Sequence, residues 1–246
     1  MEQLFYKSCS KIVVVTRSFK NTIVKEGHLS EKISIVFNGC NLSLYKSQEK
    51  SAFLLSKHSL KGKFVFGYAG TIGMGHNIQF IIRCAKKLEY LSNVMFMIIG
   101  DGAERENVKK LILELNINNV IMLDAMPKDK ISEYISIFDV ALAPLKDEDA
   151  YSKVIPSKIF ESAAMGKPVL LGVRGESYKM VNDYKIGCTY SPENEKSFIA
   201  VVIKMTNSSK IKESGYDNDM LIFSKKYDRR NQANEMYKVI KKTCLK

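Results

Sequence analysis

The sequence lacks the features that mark several classes of protein. No apolar run approaches the roughly 18 residues needed to cross a bilayer, and the N-terminus MEQLFYKSCSK has no basic start followed by an apolar stretch, as a secretory signal has. The five cysteines are odd in number and never spaced C-x-x-C, and the three histidines lie far apart. These absences argue against a disulfide framework, a zinc site and a metal centre. We therefore expect a cytoplasmic protein with reduced thiols and no metal or other cofactor.

Acidic residues are also scarce relative to basic ones. The chain has 38 Lys and Arg against 26 Asp and Glu, a formal net charge of +12. A basic surface attracts anionic partners such as phosphates, nucleic acid and acidic lipid headgroups, although a general lysine bias explains the excess equally well. No basic–aromatic interleaving or reader motif accompanies the charge, so we expect no binding to nucleic acid.

Apolar runs and amphipathic segments alternate from about residue 60 onward. The runs predicted as strands are Phe64–Ala69, Val94–Ile99, Val120–Leu123, Val140–Ala143 and Val169–Val173. The segments predicted as helices are Ile78–Leu91, Glu104–Leu115, Lys128–Phe138 and Pro156–Met165. Nearly continuous apolar strands are expected when helices cover both faces of a parallel sheet. The predicted fold class is therefore α/β, a Rossmann-like doubly wound parallel sheet.

The two ends of the chain show a different pattern. Ile12–Val15 and Ile33–Val36 are predicted strands, with Ser18–Lys25 as a short helix between them. The stretch Asn207–Asn218 is polar, and Phe223–Lys242 is predicted as a terminal basic amphipathic helix. The α/β alternation is thus flanked by a short β-α-β segment and a helical C-terminus.

A glycine-rich loop follows the first strand of the alternating series, in FVFGYAGTIGMGHNI. Glycines let the backbone approach a phosphate, whose charge is stabilised by backbone N–H groups and a helix N-terminus. The order G-x-x-G-x-G is not the dinucleotide fingerprint, so a glycine turn without a ligand stays an alternative. The next strand ends at Gly100-Asp101-Gly102, which makes Asp101 a candidate ribose-binding acid.

The segment PSKIFESAAMGKPVL is the most informative stretch. Pro156 and Gly166 suit the first position and the C-terminal cap of a helix. Lys158 and Glu161 are three residues apart and share one face of its first turns. At the carboxyl end of a parallel sheet that face points into the ligand crevice, where the lysine would neutralise a diphosphate and the carboxylate would accept ribose hydroxyls. On spacing alone, an exposed ion pair is the alternative.

The acidic triplet Asp147-Glu148-Asp149 formally satisfies D-x-D, a pattern that holds a divalent cation on a sugar diphosphate in enzymes of a different fold. It follows a fourth strand, where nothing around it fits that architecture, so a solvated loop is the favoured interpretation. No Ser-His-Asp or Cys-His arrangement is indicated by position, and the sequence identifies no catalytic residue.

Together these segments resemble glycosyltransferase family 4 of the GT-B fold, specifically its C-terminal donor-binding domain, from about Val13 to Met205. FGYAGTIGMGHNI is similar to the opening strand and phosphate loop, MFMIIGDGAERENVKKL to the second βα unit, and FDVALAPL to the strand before the active-site loop. PSKIFESAAMGKPVL resembles the signature helix and is the most specific match. Among the branches of the family, the chain is most similar to bacterial L-fucosamine-type transferases of O-antigen and capsule synthesis.

The resemblance implies a role for each candidate residue. Glu161 would bind the donor ribose. The donor diphosphate would be bound by Lys158, Ser157 and the backbone N–H groups of Gly70 and Thr71. The remaining candidates for the donor pocket are Asp101, Gly102 and Pro156.

Two departures from the family pattern affect these roles. Lys153 stands where many members have a first glutamate, with seven residues between it and Glu161. The usual Arg and Lys of the phosphate loop are absent, and Thr71 and Gly75-His76 lie roughly at their positions. The family implies a retaining transfer without a bound metal, in which the diphosphate leaving group is stabilised electrostatically.

The resemblance also implies a second lobe, because a GT-B enzyme binds its acceptor in a separate Rossmann-like lobe. Only about ten residues precede the matching region here. We therefore expect residues 1–40 to be a remnant of the inter-lobe region, 41–206 the donor-binding domain and 207–246 a basic helical extension. The acceptor lobe would be missing, through truncation or because a separate protein supplies it.

The expected function is transfer of a sugar from a nucleotide-diphosphate donor, taken as UDP-linked, to a saccharide or lipid-linked acceptor in surface polysaccharide synthesis. The alternatives are a non-catalytic nucleotide-sugar-binding module or partner lobe of a split enzyme, and a nucleotide-sugar epimerase. Without an acceptor lobe, the isolated chain is expected to be inactive, and part of the apolar stripe of Phe223–Lys242 would be uncovered. The basic face of that helix would favour peripheral contact with the anionic inner face of a membrane.

Overall fold

The computed structural model describes residues 2–208 and 218–244. The strands are β1 Ile12–Val14, β2 Ile33–Ile35, β3 Phe64–Ala69, β4 Val94–Ile99, β5 Val120–Leu123, β6 Val140–Pro144, β7 Val169–Gly172 and β8 Gly187–Thr189. The α-helices are α1 Glu2–Ser8, α2 Arg17–Lys25, α3 Ala52–Lys57, α4 Ile78–Lys87, α5 Arg105–Glu114, α6 Lys128–Ser136, α7 Asp149–Ser152, α8 Ser157–Ala164, α9 Glu176–Asp183, α10 Glu195–Thr206, α11 Asn218–Lys226 and α12 Arg229–Cys244.

The central sheet has six strands in the order β5-β4-β3-β6-β7-β8, and every neighbouring pair is parallel. The order reverses between β3 and β6, because β4 and β5 lie on one side of β3 while β6, β7 and β8 lie on the other. Ligands of open α/β sheets bind in the crevice at such a switch point, outside the carboxyl ends of the strands. The predicted Rossmann-like fold class is confirmed.

The two faces of the sheet carry separate apolar cores. On β3, Phe66 and Tyr68 pack with Phe96 into the core under α4 and α10. Val65, between them in sequence, packs with Met97 into the core on the opposite face. This alternation follows from the two-residue period of a strand, and helices on both faces explain why the strands are nearly continuous apolar runs.

β8 is a strand that the sequence pattern does not predict. It comprises only Gly187, Cys188 and Thr189 and pairs in register with β7. A Cβ at Gly187 would lie 2.0 Å from the Val169 carbonyl oxygen, so close pairing there depends on glycine. Contact with β7, rather than local propensity, makes this segment a strand.

Residues 2–36, called the N-terminal unit here, fold separately from the central sheet. Its two predicted strands are confirmed, each one residue shorter, and they pair in parallel with each other in a separate sheet. A small core of Ile12, Val14, Ile23 and Ile33 holds β1 and β2 to α2.

The C-terminal segment folds as two helices, so the prediction of one helix over Phe223–Lys242 is wrong. Between α11 and α12, the N–H of Cys40 donates to the carbonyl of Tyr227 (3.0 Å), and the N–H of Arg229 donates to the carbonyl of Cys40 (2.9 Å). Residues 227–229 thus pair with Cys40, in the segment that follows the N-terminal unit. Because their backbone groups bond to Cys40, the helical hydrogen bonds stop between α11 and α12.

The C-terminal apolar residues before this break are buried, and those after it are exposed. The rings of Phe223 and Tyr227 lie 5.7 Å and 5.2 Å from that of Phe160, and both are buried. Tyr237 and Ile240, on α12, are 63% and 52% exposed. The expectation of an uncovered apolar stripe therefore holds for α12 alone.

None of the helices in residues 2–208 and 218–244 is both long and apolar enough to cross a bilayer. Most of the polar stretch Asn207–Asn218 lies outside the described residues.

Candidate functional site

Two loops interlock at the carboxyl ends of β3 and β4. The N–H of Gly70 donates to the carbonyl of Ile99 (2.9 Å), and the N–H of Ile72 donates to the carbonyl of Asp101 (2.7 Å). A Cβ at Gly100, whose φ is +157°, would lie 1.9 Å from the Gly70 carbonyl oxygen. Glycine is required for this approach, and the crossed loops form the floor of a crevice at the switch point.

α8 supplies the opposite wall of the crevice. It begins at Ser157, so Pro156 is its N-cap residue rather than its first residue, and Gly166, with φ +66°, follows its C-terminal end. Ile159 and Phe160 are fully buried in the core beneath it. Because this face is fixed by packing against β6 and β7, the other face of its first turns is directed toward the crevice.

A cavity of about 430 Å³ occupies the crevice. The predicted site residues in its wall are Gly70, Thr71, Asp101, Ser157, Lys158 and Glu161. The rest of its wall is formed by Tyr45, Ala69, Ile99, Gly100, Ala125, Met126, Lys128, Ile131 and Ile135. Lys158 and Glu161 thus face one cavity from a single helix, as their spacing predicts.

Lys158 places a charge at the centre of this wall. Its Nζ lies 4.7 Å from the centroid of the Tyr68 ring, and within the described residues the ammonium forms no ion pair. Burial lowers the pKa of Lys158, and the nearby Glu161 carboxylate opposes that shift. A half-buried cation that forms no direct ion pair is stabilised when an anion joins it, so the position suits a phosphate.

Glu161 has the complementary environment. Burial raises its pKa, while Lys158, a hydrogen bond from Ser157, Arg229 and Lys128 all act to lower it. Burial and then Glu161 raise the pKa of the neighbouring Tyr45 hydroxyl to about 12. Surrounding positive charges favour the ionised carboxylate, which accepts hydrogen bonds strongly.

The structure corrects the part predicted for Gly70. Its N–H donates to Ile99, so it is not free to bind a phosphate. Instead, a Cβ at this position would lie 2.5 Å from Nζ of Lys158, so the missing side chain makes room for the ammonium. The N–H of Thr71 has no partner among the described residues, and no side chain caps the N-terminus of α8.

The other predicted pocket residues lie at its margins. The Asp101 side chain is 74% exposed, accepts the N–H of Gly102 (2.8 Å) and lies 4.0 Å from Nε of Arg105. Gly102 is not in the cavity wall and supports the floor through the loop crossing, where a Cβ would lie 2.6 Å from the Ile72 carbonyl oxygen. Pro156 lines an adjoining cavity rather than this one.

The adjoining cavity, of about 470 Å³, shares Ser157 and Lys158 with the first. It is also lined by Gly73, Met74, Gly75, His76, Ala143, Pro144, Leu145, Tyr151, Val154, Ile155 and Pro156. No carboxylate lines it within the described part of the chain. Lys158 therefore stands at the junction of two compartments, one with a carboxylate and one mainly apolar.

Sequence reasoning missed several residues of these walls. Lys128 begins the helix after β5, at the same edge of the sheet as Lys158, and that position could have identified it. Tyr45 and Met126 come from loops without a motif, so no sequence signal points to them. His76 is in the glycine-rich loop, but the sequence pattern assigns it no role of its own.

The acidic triplet forms its own ion pairs. Asp147 accepts from Nη2 of Arg174 (2.6 Å), and Asp149 pairs with Nζ of Lys153 (2.8 Å). Among the described residues, no group of three His, Cys, Asp or Glu side chains is arranged to hold a metal ion. Lys153 is thus paired with α7 and lines neither of the two cavities.

Comparison with known proteins gives a consistent result. Residues 50–219 match the family model described as Glycosyl transferases group 1. WbjE of Pseudomonas aeruginosa, described as a probable glycosyltransferase, is 27% identical over 194 residues, which are 77% of this chain and 48% of WbjE. The chain thus spans about half the length of this curated relative.

Solved structures show the same fold. The crystal structure of HepE from Anabaena, in complex with UDP and glucose, has a TM-score of 0.84 at 16% identity and covers 98% of this chain and 65% of HepE. WaaG, a glycosyltransferase involved in lipopolysaccharide biosynthesis, has a TM-score of 0.76 at 17% identity and covers 94% of this chain and 62% of WaaG.

Proposed function

Because the chain belongs to the Glycosyl transferases group 1 family, we propose that it binds a UDP-sugar and takes part in transfer of the sugar to a saccharide or lipid-linked acceptor. One observation carries the proposal. Lys158 and Glu161 line a single cavity of about 430 Å³ at the switch point of the sheet. The UDP bound to the structural neighbour HepE supports a uridine donor.

Each part of the donor has a matching region of the site. The diphosphate would lie against Lys158, the Thr71 N–H and the N-terminus of α8, and the ribose hydroxyls would donate to Glu161. The base would lie on the apolar wall that includes Ile99, Ala125 and Met126. The sugar would enter the adjoining cavity of about 470 Å³ past Lys158.

The proposed chemistry follows from the position of Lys158. As the bond from the sugar to the diphosphate breaks, negative charge accumulates on the leaving oxygen, and a fixed cation beside it stabilises that charge. This arrangement needs no divalent metal. We propose retention of anomeric configuration, as the family resemblance implies, which proton NMR of the first-formed product would test.

Calorimetry of UDP binding to the purified chain, in buffer with EDTA, tests the donor site. A carboxylate–hydroxyl contact contributes about 1.5–3 kcal/mol, so Glu161→Ala should weaken UDP roughly tenfold or more. Glu114→Ala, at an exposed carboxylate on α5 far from the cavity, is the matched control. Absence of UDP binding, or equal affinity in the Glu161 variant, would reject the donor-site assignment.

The acceptor side rests on a different observation. The chain covers 48% of WbjE and 65% of HepE, so a complete enzyme would have a further acceptor-binding part, in the same chain or in a second one. A module that binds the donor without turning it over is therefore the second candidate function. Turnover of UDP-glucose by this chain alone, measured as released UDP, would exclude that candidate.

We also propose that α12 contacts an anionic membrane, which fits a lipid-linked acceptor in surface polysaccharide synthesis. The helix has five basic residues and one acidic residue. Its outer face exposes an apolar series at helical spacing, Ala233, Tyr237, Ile240 and Cys244. Flotation with phosphatidylglycerol vesicles should fall when Tyr237 and Ile240 are both changed to Ser, but not for Leu113→Ser on α5. Equal flotation of all three proteins would end this part of the proposal.

A further inference from the structure

We propose that His76 is a donor-binding residue that takes up a proton when the diphosphate of the donor binds. This inference rests on the donor site proposed above and adds a titratable group to it. It assigns to His76 a hydrogen bond to the donor at the junction of the two compartments.

The chain places the imidazole in the wall of the adjoining cavity. His76 ends the short 3-10 turn Met74–His76, and Asn77 follows with φ +51°, which reverses the chain before α4. The imidazole lies 6.3 Å from the Tyr68 ring, centroid to centroid, and that ring also holds the ammonium of Lys158. His76 and Lys158 therefore flank the place where the two cavities meet.

The two ring nitrogens of His76 have different surroundings. Nδ1 is buried beside Gly73 and has no hydrogen-bond partner of normal geometry among the described residues. Nε2 is not buried in this way, and the ring lines the cavity. Buried polar atoms are normally satisfied; on the charged ring the Nδ1–H would donate to the backbone of Gly73, and Nε2 is the atom that reaches a ligand in the cavity.

Charges around the ring explain the proton uptake. Burial and then Lys158 lower the pKa of His76, while the backbone of Gly73 acts to raise it. The other titratable groups near the ring are the hydroxyls of Tyr68 and Tyr151 and, through a bond to Asn77, the carboxylate of Glu193. The imidazole is therefore neutral at pH 7.

A diphosphate changes this balance. Negative charge within a few ångströms favours the charged imidazole, whose Nε2–H then donates a charge-assisted hydrogen bond to a phosphate oxygen. The proton comes from solvent and stays on His76 while the ligand is bound. Affinity for the diphosphate should consequently fall as the pH rises from the pKa of the free imidazole toward the higher pKa of the imidazole in the complex.

Calorimetry with UDP in two buffers of different ionisation enthalpy measures the protons taken up per binding event. The test compares the unmodified chain with His76→Gln, which keeps a hydrogen-bonding atom near Nε2 but cannot titrate. His58→Gln is the matched control, because His58 also has a lowered pKa and a buried unpartnered nitrogen but lies at the end of α3, outside both cavities. Protons exchanged by UDP itself are common to all three proteins.

We expect His76→Gln to take up fewer protons than the other two proteins and to bind UDP at least about tenfold more weakly at pH 6.5, with a smaller difference at pH 8.5. UDP binding with equal proton uptake in all three would overturn the role of His76 and leave the donor site intact. Absence of UDP binding to the unmodified chain would overturn both. Should His76→Gln fail to fold, the NMR titration of His76 with and without UDP decides the matter, because an unchanged pKa contradicts the inference.

Discussion

Replacing Gly70 with alanine tests how closely Lys158 approaches the loop after β3. The added Cβ would lie 2.5 Å from Nζ and 2.8 Å from Cε of Lys158. Since the lysine end is flexible, the ammonium would move away while the fold persists. Gly70 also has φ +148°, which an alanine adopts at a cost of about 1–3 kcal/mol in the free energy of unfolding.

The effect on binding can be separated from the effect on stability. Loss of the ammonium's hydrogen bonds to a diphosphate costs about 1.5–3 kcal/mol, equivalent to a roughly 10- to 150-fold weaker affinity for UDP. Gly62→Ala provides the control, because Gly62 also has a positive φ (+73°) but a Cβ there meets nothing within 4 Å. It should lose stability without losing affinity.

Thermal unfolding and calorimetry with UDP, run on both glycine variants, supply the two quantities. A second comparison uses Lys158→Met: adding Gly70→Ala to it should weaken UDP no further, because both changes remove the same contact. A folded Gly70→Ala protein that binds UDP as tightly as the unmodified chain would refute the reasoning. So would full additivity of the two changes.

Three further predictions follow from the charges described above. Because burial lowers the pKa of Lys158, affinity for UDP should fall as alkaline pH removes its proton, and Lys158→Arg, which stays charged, should flatten that profile; a parallel profile in both proteins contradicts this. Changing Asp147 and Asp149 together to Asn should leave UDP affinity unchanged with or without magnesium, whereas a metal-dependent affinity lost in that variant would restore the D-x-D interpretation. Burial lowers the pKa of Lys167 from 10.5 to about 8, so the folded state loses this proton at a lower pH than the unfolded state does. The free energy of unfolding should then rise between pH 8 and pH 10.5, by up to about 3 kcal/mol; Lys167→Met should lack this rise, and an equal rise in both proteins would exclude Lys167 as its source.

The sequence predicted those parts of the molecule that have a local physical cause. The strands from Phe64 to Val173 are predictable because parallel strands buried on both faces are continuous apolar runs. Lys158 and Glu161 are predictable as a pair because helix geometry places residues three apart on one face. Their convergence on one cavity follows from the rule that sites lie at the carboxyl ends of the strands.

The remainder depends on contacts between segments distant in the chain. β8 has no apolar pattern and is a strand because Gly187 can pair closely with Val169. The helix break at Tyr227 is set by hydrogen bonds to Cys40, far away in sequence. The N–H of Gly70 was expected to bind phosphate, but its engagement with Ile99 becomes evident only once the two loops are seen to cross.

The contact of Cys40 with the break between α11 and α12 has a mechanical consequence. The N-terminal unit and α12 are joined to the central domain by two covalent connections, which run side by side at Cys40 and Tyr227. A Cβ at Gly39 would lie 2.2 Å from the Tyr227 carbonyl oxygen, so the two connections touch. A rotation between these bodies about this contact would also break the hydrogen bonds that the N–H and the hydroxyl of Ser18 donate to Glu176 on α9 (2.9 Å and 3.1 Å). Arg229, whose N–H donates to Cys40 at this point, opposes the rise that burial causes in the pKa of Glu161, so such a rotation would alter the charge around the carboxylate that we propose binds the ribose.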